Sequence, residues 1–139
     1  MPGLEVVVVT PERSVLATEA DFVVVPAHDG ELGILKNHAP LLAQLQPGEI
    51  RITRGSDVEA IAVSGGFVEV RANRVSLFTE TAEMAQEIDA ERARQAAERA
   101  KAALRSSTTR SDLANAEASL RRALIRLKVS EDLRRLRKS

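Results

Sequence analysis

Residues 82–139 contain neither a glycine nor a proline, and no other feature of the chain narrows its fold so far. Those two residues punctuate turns and tight loops, so a long stretch without them that is rich in Ala, Arg, Glu and Leu is steered towards helix. The one interruption is the polar run RSSTTRSD at 105–112, of a length that joins antiparallel helices. The spacing predicts a first helix over about 89–104 and a second from about 110–112, with Thr109 and Asp112 three residues apart as a capping pair. On the second helix Leu113, Leu120, Leu124 and Leu127 form an apolar stripe; on the first, Ala93, Ala96, Ala97, Ala100 and Ala103 form a small-residue face. The pattern predicts leucines packed on alanines. Such a hairpin buries little aliphatic area, which predicts weak attachment and mobility relative to the rest of the chain.

Up to about residue 82 the period is two. EIRITR (49–54), DVEAIAV (57–63), FVEVRA (67–72) and RVSLF (74–78) alternate apolar with polar, which places Ile50 and Ile52, Val58 and Ala60, and Val68 and Val70 on inward faces. Pro47-Gly48, Gly55-Ser56, Gly65-Gly66 and Ala72-Asn73 supply turns between them. LEVVVVT and DFVVVPA read as strands buried on both faces. Turn signals every eight to twelve residues point to a β-sandwich or barrel. The expected fold is therefore α+β: a sandwich of about 8–10 short strands over 1–84, then an antiparallel two-helix hairpin over 85–139. Aromatics number only three, Phe22, Phe67 and Phe78, so the core must be built from Val, Ile, Leu and Ala, and stacking on bases or sugars is disfavoured. With no cysteine there is no thiolate ligand or nucleophile. The longest apolar runs fall well short of the roughly 20 residues of a membrane span, and MPGLEVVVV lacks a basic region before its apolar run. These features read as a soluble intracellular protein.

Net charge is zero but unevenly divided. Residues 1–84 carry 12 acidic and 6 basic side chains, residues 85–139 carry 8 and 14, an asymmetry that suits two surfaces with different partners. Within 120–139 the basic residues are Arg121, Arg122, Arg126, Lys128, Arg134, Arg135, Arg137 and Lys138, against Glu131 and Asp132. A charge run of this kind is commonly a solvated helical face, but here leucines interleave with the cations, as on a helix that meets two partners. A nucleic-acid-binding module using this helix on phosphates is the alternative; the acidic sandwich, the scarcity of aromatics and the lack of a groove-reading motif weigh against it. No paired carboxylates or nucleophile constellation marks a catalytic centre. His28 and His38 with Asp29 and Glu31 lack metal-ligand spacing. Ser64-Gly65-Gly66 is followed by Val-Glu-Val rather than by Lys-Ser/Thr and a helix, so it reads as a turn or bulge and not as a phosphate loop.

The stretch EIDAERAR (87–94) carries more. Asp89 is a good N-cap, yet Arg92 sits in the first turn, where the helix dipole disfavours a cation. A connection centred near residue 108 puts residue 92 opposite about 124, close to Arg122 and Arg126, and Arg99 follows on the Arg92 face two turns on. Guanidinium groups that converge in this way repel one another unless an anion sits among them, and they suit polyphosphate.

Three stretches together resemble the epsilon subunit of the bacterial rotary F-type ATP synthase: GELGILKNHAPLLAQL (30–45), IAVSGGFVEV (61–70) and the hairpin of residues 83–139, with TPERSVL (10–16) also fitting. The resemblance covers nearly the whole chain. It implies a non-catalytic central-stalk subunit with gamma, the c-ring, alpha and beta as partners, and no nucleic acid. It implies a peripheral place on the cytoplasmic face of the bacterial membrane, held there only through the complex. The c-ring contact would fall at Glu31 and His38 and between them, although Leu32 and Ile34 read equally as core and His38 as a surface histidine. Arg121, Arg122, Arg126, Lys128, Arg134 and Arg135 would face the catalytic head when the helices extend to inhibit ATP hydrolysis. Some members bind ATP in the folded hairpin through Ile or Leu followed by Asp-x-x-Arg-Ala, matched at Ile88, Asp89, Arg92 and Ala93, with further matches at Glu83, Arg99, Arg122 and Arg126. By that resemblance Arg92, Arg122 and Arg126 would carry the phosphate charge, and Glu83, Ile88 and Asp89 the adenosine end. ATP is then a regulatory ligand and no cofactor is required; nothing in the motif sets affinity or a Mg²⁺ dependence.

Overall fold

The computed structural model describes residues 3–138, with side chains as far as Asp132; Arg134 and Arg135 lie outside the described side chains. Ten strands come first: β1 Leu4–Val9, β2 Ser14–Ala20, β3 Phe22–Ala27, β4 Gly30–Leu35, β5 Leu41–Leu45, β6 Gly48–Arg54, β7 Asp57–Val63, β8 Gly66–Arg71, β9 Arg74–Thr79 and β10 Ala82–Met84. A 3₁₀ turn over Ala85–Glu87 leads to α1 Ala90–Ser106 and α2 Arg110–Lys138. The expected sandwich followed by two helices is present.

The strands form two five-stranded layers, β4-β3-β6-β7-β10 and β5-β8-β9-β1-β2, which meet where Ala27 pairs with Leu45. Every pairing is antiparallel except that of β1 with β9. Between the layers Val6, Val8, Val23, Val25, Ile50, Ile52, Val68, Val70, Val75 and Leu77 are at most 1% exposed, a core of β-branched and aliphatic side chains consistent with the aromatic-poor composition.

Two sequence expectations about strand faces change. In β1 and β3 only one face is fully buried, since Val7, Val9, Phe22 and Val24 are half-buried. Among the described residues, α2 packs on β7 and β6 of the layer opposite β1. In β7 the sandwich side carries Ile61 and Val63, whereas Ala60 and Ala62 face the helices and Val58 is only half-buried. Because both faces of β7 are covered beyond Ala60, its alternation carries no direction.

At Gly65-Gly66 the chain crosses from the β7 layer to the β8 layer, with φ of +132° and +137°. The pair is thus a crossover rather than a hairpin turn. A Cβ on Gly66 would collide with the Phe78 carbonyl oxygen. By contrast Ala72 and Asn73, with φ of 51° and 63°, form a two-residue hairpin in which both residues turn left-handed.

The hairpin corrects the leucine-on-alanine expectation. Ala93, Ala97 and Ala100 of α1 are buried, and facing them on α2 so are Ala116 and Ala123, while Leu113 and Leu124 are 41% and 47% exposed. Ala93 and Ala123, like Ala100 and Ala116, lie at equal distances in sequence from Thr108. Small side chains on both helices let the axes approach closely. At about 100° per residue, the leucines fall on one flank of Ala123 and the sheet-facing Ile125 and Val129 on the other.

Replacing Gly66 with alanine, in a left-handed conformation against a carbonyl, is expected to lower stability by more than about 2 kcal/mol. Urea unfolding followed on the sandwich measures it, and a loss below about 0.5 kcal/mol would contradict the crossover geometry.

Candidate functional site

α2 lies across the β6-β7-β10 end of one layer. Glu49 of β6 pairs in register with Ala62 of β7, which pairs with Glu83 of β10, so both glutamates and the alanine between them share the helix-facing surface. Two strand spacings are about 9.6 Å. Six residues of helix rise about 9 Å, which is the separation of Arg126 from Asp132 along α2. The helix accordingly sets Arg126 over Glu83 and Asp132 over Glu49.

Arg126 binds Glu83 with both arms of its fork: Nε donates to Oε1 at 2.7 Å and Nη2 to Oε2 at 3.2 Å. Both side chains are about one-third exposed, 31% and 35%. The hydrogen bonding that Arg126 donates to Glu83, against a smaller opposing effect of burial, raises the Arg126 pKa, and the charges of Glu83 and then Asp89 add to it. Beneath these groups Ala60, Ala62, Ala85, Ile88 and Val129 are buried together, with Ile125 packed on them.

A cleft of about 680 Å³ opens between the helices and is lined by Arg99, Ala100, Ser106, Ser107, Asp112, Asn115, Ser119, Arg122 and Arg126 among others. A smaller one, about 70 Å³, lies where α2 meets the sheet and is lined by Ser64, Thr81, Glu83, Ile125 and again Arg122 and Arg126. The larger volume is of the size that holds a small ligand. Arg122 Nη2 donates to Ser119 Oγ at 3.1 Å. Guanidiniums, hydroxyls and an amide converging on one opening suit an anionic ligand with several oxygens.

Of the residues singled out from the sequence, Glu83, Arg99, Arg122 and Arg126 are brought together at these two clefts. Ile88 is 8% exposed beneath α2. Asp89 caps α1, its Oδ1 accepting from the Arg92 backbone N–H at 3.2 Å, and Ala93 is fully buried. The Arg92 side chain is exposed and lies two turns from Arg99 on the same flank, beyond the residues that line the clefts. Arg121 and Lys128 are also exposed and lie away from the clefts, so the described part of the basic cluster divides between two faces of α2.

Glu31 and His38 do not form one cluster. β4 pairs with β3 alone among the described residues, making it an edge, and the two residues flank its ends. Glu31 is exposed and meets Arg51 at 3.4 Å; His38 is half-buried, with Nδ1 2.8 Å from the Ala39 carbonyl oxygen. Among the described residues, no group of three or more His, Asp or Glu side chains could hold a metal.

Two features escaped the sequence reading. The outer face of the β5-β8-β9-β1 layer exposes Leu42 at 70%, Phe67 at 55% and Phe78 at 50%, in neighbouring register positions. The signal was present, since Phe67 and Phe78 are out of phase with the buried Val68 and Leu77. The other is the meeting of Glu49 with Asp132, which depends on where α2 crosses the sheet.

The family profile described as "ATP synthase, Delta/Epsilon chain, beta-sandwich domain" matches residues 3–85, and that described as "ATP synthase, Delta/Epsilon chain, long alpha-helix domain" matches residues 86–131. An ATP synthase epsilon chain from Symbiobacterium thermophilum is 46% identical over 131 residues, covering 94% of each chain. One from Halalkalibacterium halodurans is 49% identical over 131 residues, covering 94% of this chain and 98% of its own. Among solved structures, a chain of the Euglena gracilis mitochondrial ATP synthase superposes with a TM-score of 0.78 at 23% identity, covering 87% of this chain and 77% of that one. A chain of the central stalk and c-ring structure from Tetrahymena thermophila gives 0.64 at 19% identity, covering 91% and 96%. At such identities these superpositions bear on the fold alone.

A double-mutant cycle on Glu83→Ala and Arg126→Ala is expected to give a coupling of about 1 kcal/mol, since the pair is bidentate but only partly shielded from solvent. Urea denaturation of the four proteins measures it. Additive effects would mean that the pair contributes nothing to docking.

Proposed function

The chain belongs to the ATP synthase delta/epsilon chain family of non-catalytic stalk subunits, and from that premise we propose that it couples rotor rotation to ATP synthesis in a proton-translocating enzyme. In this reading the two C-terminal helices also restrain ATP hydrolysis, and ATP bound to the folded hairpin holds them down. The observation that carries the regulatory part is the position of Arg122 and Arg126. They occupy the angle between α1 and the sheet, lining both clefts, and among the described residues Arg126 is the one of the two that pairs with a carboxylate there, Glu83. A polyphosphate in the larger cleft would meet Arg99, Arg122 and Arg126. A ligand that binds the docked hairpin and not the released one shifts the balance towards docking.

The remaining surfaces supply the other roles. The exposed apolar face around Leu42, Phe67 and Phe78 fits a permanent protein partner, which we assign to gamma. The β4 edge, with Glu31 and His38 at its ends and Leu35 exposed at 58%, is assigned to the c-ring. On the leucine flank of α2, Leu113 and Leu124 are exposed in the docked hairpin, while Leu120 and Leu127 are half-buried. Together with Arg121 and Lys128 this flank provides an apolar side and a cationic side for a second seat in the catalytic head, against alpha and beta. Its place is thus peripheral, on the cytoplasmic face of the membrane and held there through the complex; among the described residues no helix is long and apolar enough to cross a membrane. The nucleic-acid reading gives way to the family membership, and two of its arginines turn into the hairpin instead of forming an open basic face.

Removing the chain beyond about residue 110 in the reassembled enzyme is expected to raise ATP hydrolysis several-fold; an unchanged rate would remove inhibition from the function. Titration of the isolated full chain with ATP, read by amide chemical shifts in α1 and α2, is expected to saturate by millimolar nucleotide. No saturable response would remove the nucleotide from the account.

A further inference from the structure

Among the described residues, three that are not glycine carry a positive φ: Asn37 at 67°, Ala72 at 51° and Asn73 at 63°. That conformation crowds the Cβ of any L-residue against its own backbone. All three meet at one junction. The Asn37 backbone N–H donates to Asn73 Oδ1 at 2.7 Å, a bond between residues 36 apart in sequence. The Asn73 carbonyl oxygen accepts from the Glu5 N–H at 2.8 Å, and Ala72 and Asn73 are the two turn residues between Arg71 of β8 and Arg74 of β9, which pair in register. Asn73 thus joins the start of β1, the tip of the β8–β9 hairpin and the segment between β4 and β5.

That segment, residues 36–40, carries the chain from β4 in one layer to β5 in the other, and it holds His38. Its ends are fixed by the ladder, Leu35 opposite Phe22 and Leu41 opposite Val70. Between them, the other hydrogen bonds among the described residues are local. The His38 N–H donates to the Leu35 carbonyl oxygen at 3.1 Å, and His38 Nδ1 lies 2.8 Å from the Ala39 carbonyl oxygen. Such bonds shape a turn without orienting it on the rest of the domain. The long-range bond to Asn73 does that: Asn73 is half-buried in its hairpin, whereas Lys36 and Asn37 are exposed and Leu35 is 58% exposed.

We propose that Asn73 is a positioning residue for the rotor contact: its side-chain oxygen holds the turn that presents Leu35, Lys36 and His38, although Asn73 itself lies on the other layer and outside the β4 edge. The proposal rests on the assignment of that edge to the c-ring. Torque passes through a docked surface only as far as its side chains keep their place on the domain that carries them, so a turn anchored by local bonds alone would yield under load. The residue types fit this role. Glycine at 37 or 73 would form either turn with less strain, but glycine at 73 would offer no acceptor. Asparagine tolerates the left-handed region and carries a side-chain oxygen as well. Backbone strain gathered at one long-range bond, where glycine would have been easier, marks a place where position matters. Aspartate shares both properties of asparagine, and Arg71 and Arg74 on either side of the hairpin turn suit its charge.

The test compares Asn73→Gly, which keeps the backbone freedom and removes the acceptor, with Asn73→Asp, which keeps both. In the isolated full chain, exchange of the Asn37 amide, corrected for its intrinsic rate, is expected to rise about fivefold in Asn73→Gly, the effect of losing one hydrogen bond. In Asn73→Asp it should stay within about twofold of the natural chain. Unchanged exchange in β8 and β9 shows that each variant has kept its sandwich. In the reassembled enzyme, protons pumped per ATP hydrolysed should fall about twofold with Asn73→Gly and recover with Asn73→Asp. An Asn37 amide unmoved by Asn73→Gly overturns the proposal, and so does a pumping loss that Asn73→Asp fails to rescue. His38→Ala separates the proposal from the assignment beneath it. If His38→Ala lowers the pumping ratio and Asn73→Gly does not, the edge still meets the ring and the role of Asn73 alone is overturned. If neither lowers it, the assignment of the edge falls as well.

Discussion

The C-terminal half rests on a seam of methyl groups. Ala60 and Ala62 on β7, Ala85 in the turn, Ala93, Ala97 and Ala100 on α1, and Ala116 and Ala123 on α2 are all buried, and together they bring two helices and a sheet close together. Close approach is what alanine is suited to provide, but each buried methyl contributes only about 0.8 kcal/mol, against about 1.5–3 for a buried Val, Leu or Ile. Ile88, Ile125 and Val129 are the larger apolar groups added to the seam where it meets the sheet. The sandwich, whose core is made almost wholly of such residues, has no comparable shortage.

Where apolar burial is thin, polar contacts decide the balance. α2 makes two of them against one row of the sheet. One is the bidentate pair of Arg126 with Glu83; the other is Asp132, whose charge and hydrogen bonding, next after burial, help to raise the Glu49 pKa. The same helix lines the cleft with Arg122 and leaves Leu113 and Leu124 exposed. A helix with attractive, titratable and unsatisfied surfaces is suited to two seats, and the low stability expected of moving elements follows from the seam.

Most of this architecture could be read from the residues. The loss of Gly and Pro after Ala82 marked the change from strand to helix, Asp89 and Thr109 marked the two helix starts, and symmetry about residue 108 put Arg92, with Arg99 on its face, near Arg122 and Arg126. Of these four, Arg99, Arg122 and Arg126 line the cleft and Arg92 does not. What could not be read was direction. β7 is covered on both faces, so alternation could not say that Ala60 and Ala62 look away from the sandwich. Leucines at helical spacing indicated an apolar flank, but only tertiary contact shows that alanines, not leucines, sit between the helices. Asp132 belongs to the stripe Ile125, Val129, Asp132, whose burial follows from the angle at which α2 crosses the strands. Glu31 and His38 lie close in sequence, but the extended backbone of β4 sets them apart.

The most direct measurement is urea unfolding followed by two probes in one sample: circular dichroism at 222 nm for the helices, and backbone resonances of Val68, Val70 and Leu77 for the sandwich. Helices held by a methyl seam, three larger apolar side chains and a few polar contacts should be lost at lower urea than the strand resonances, giving two separate midpoints. A single coincident transition by both probes would show that hairpin and sandwich stand or fall together, and would contradict the account.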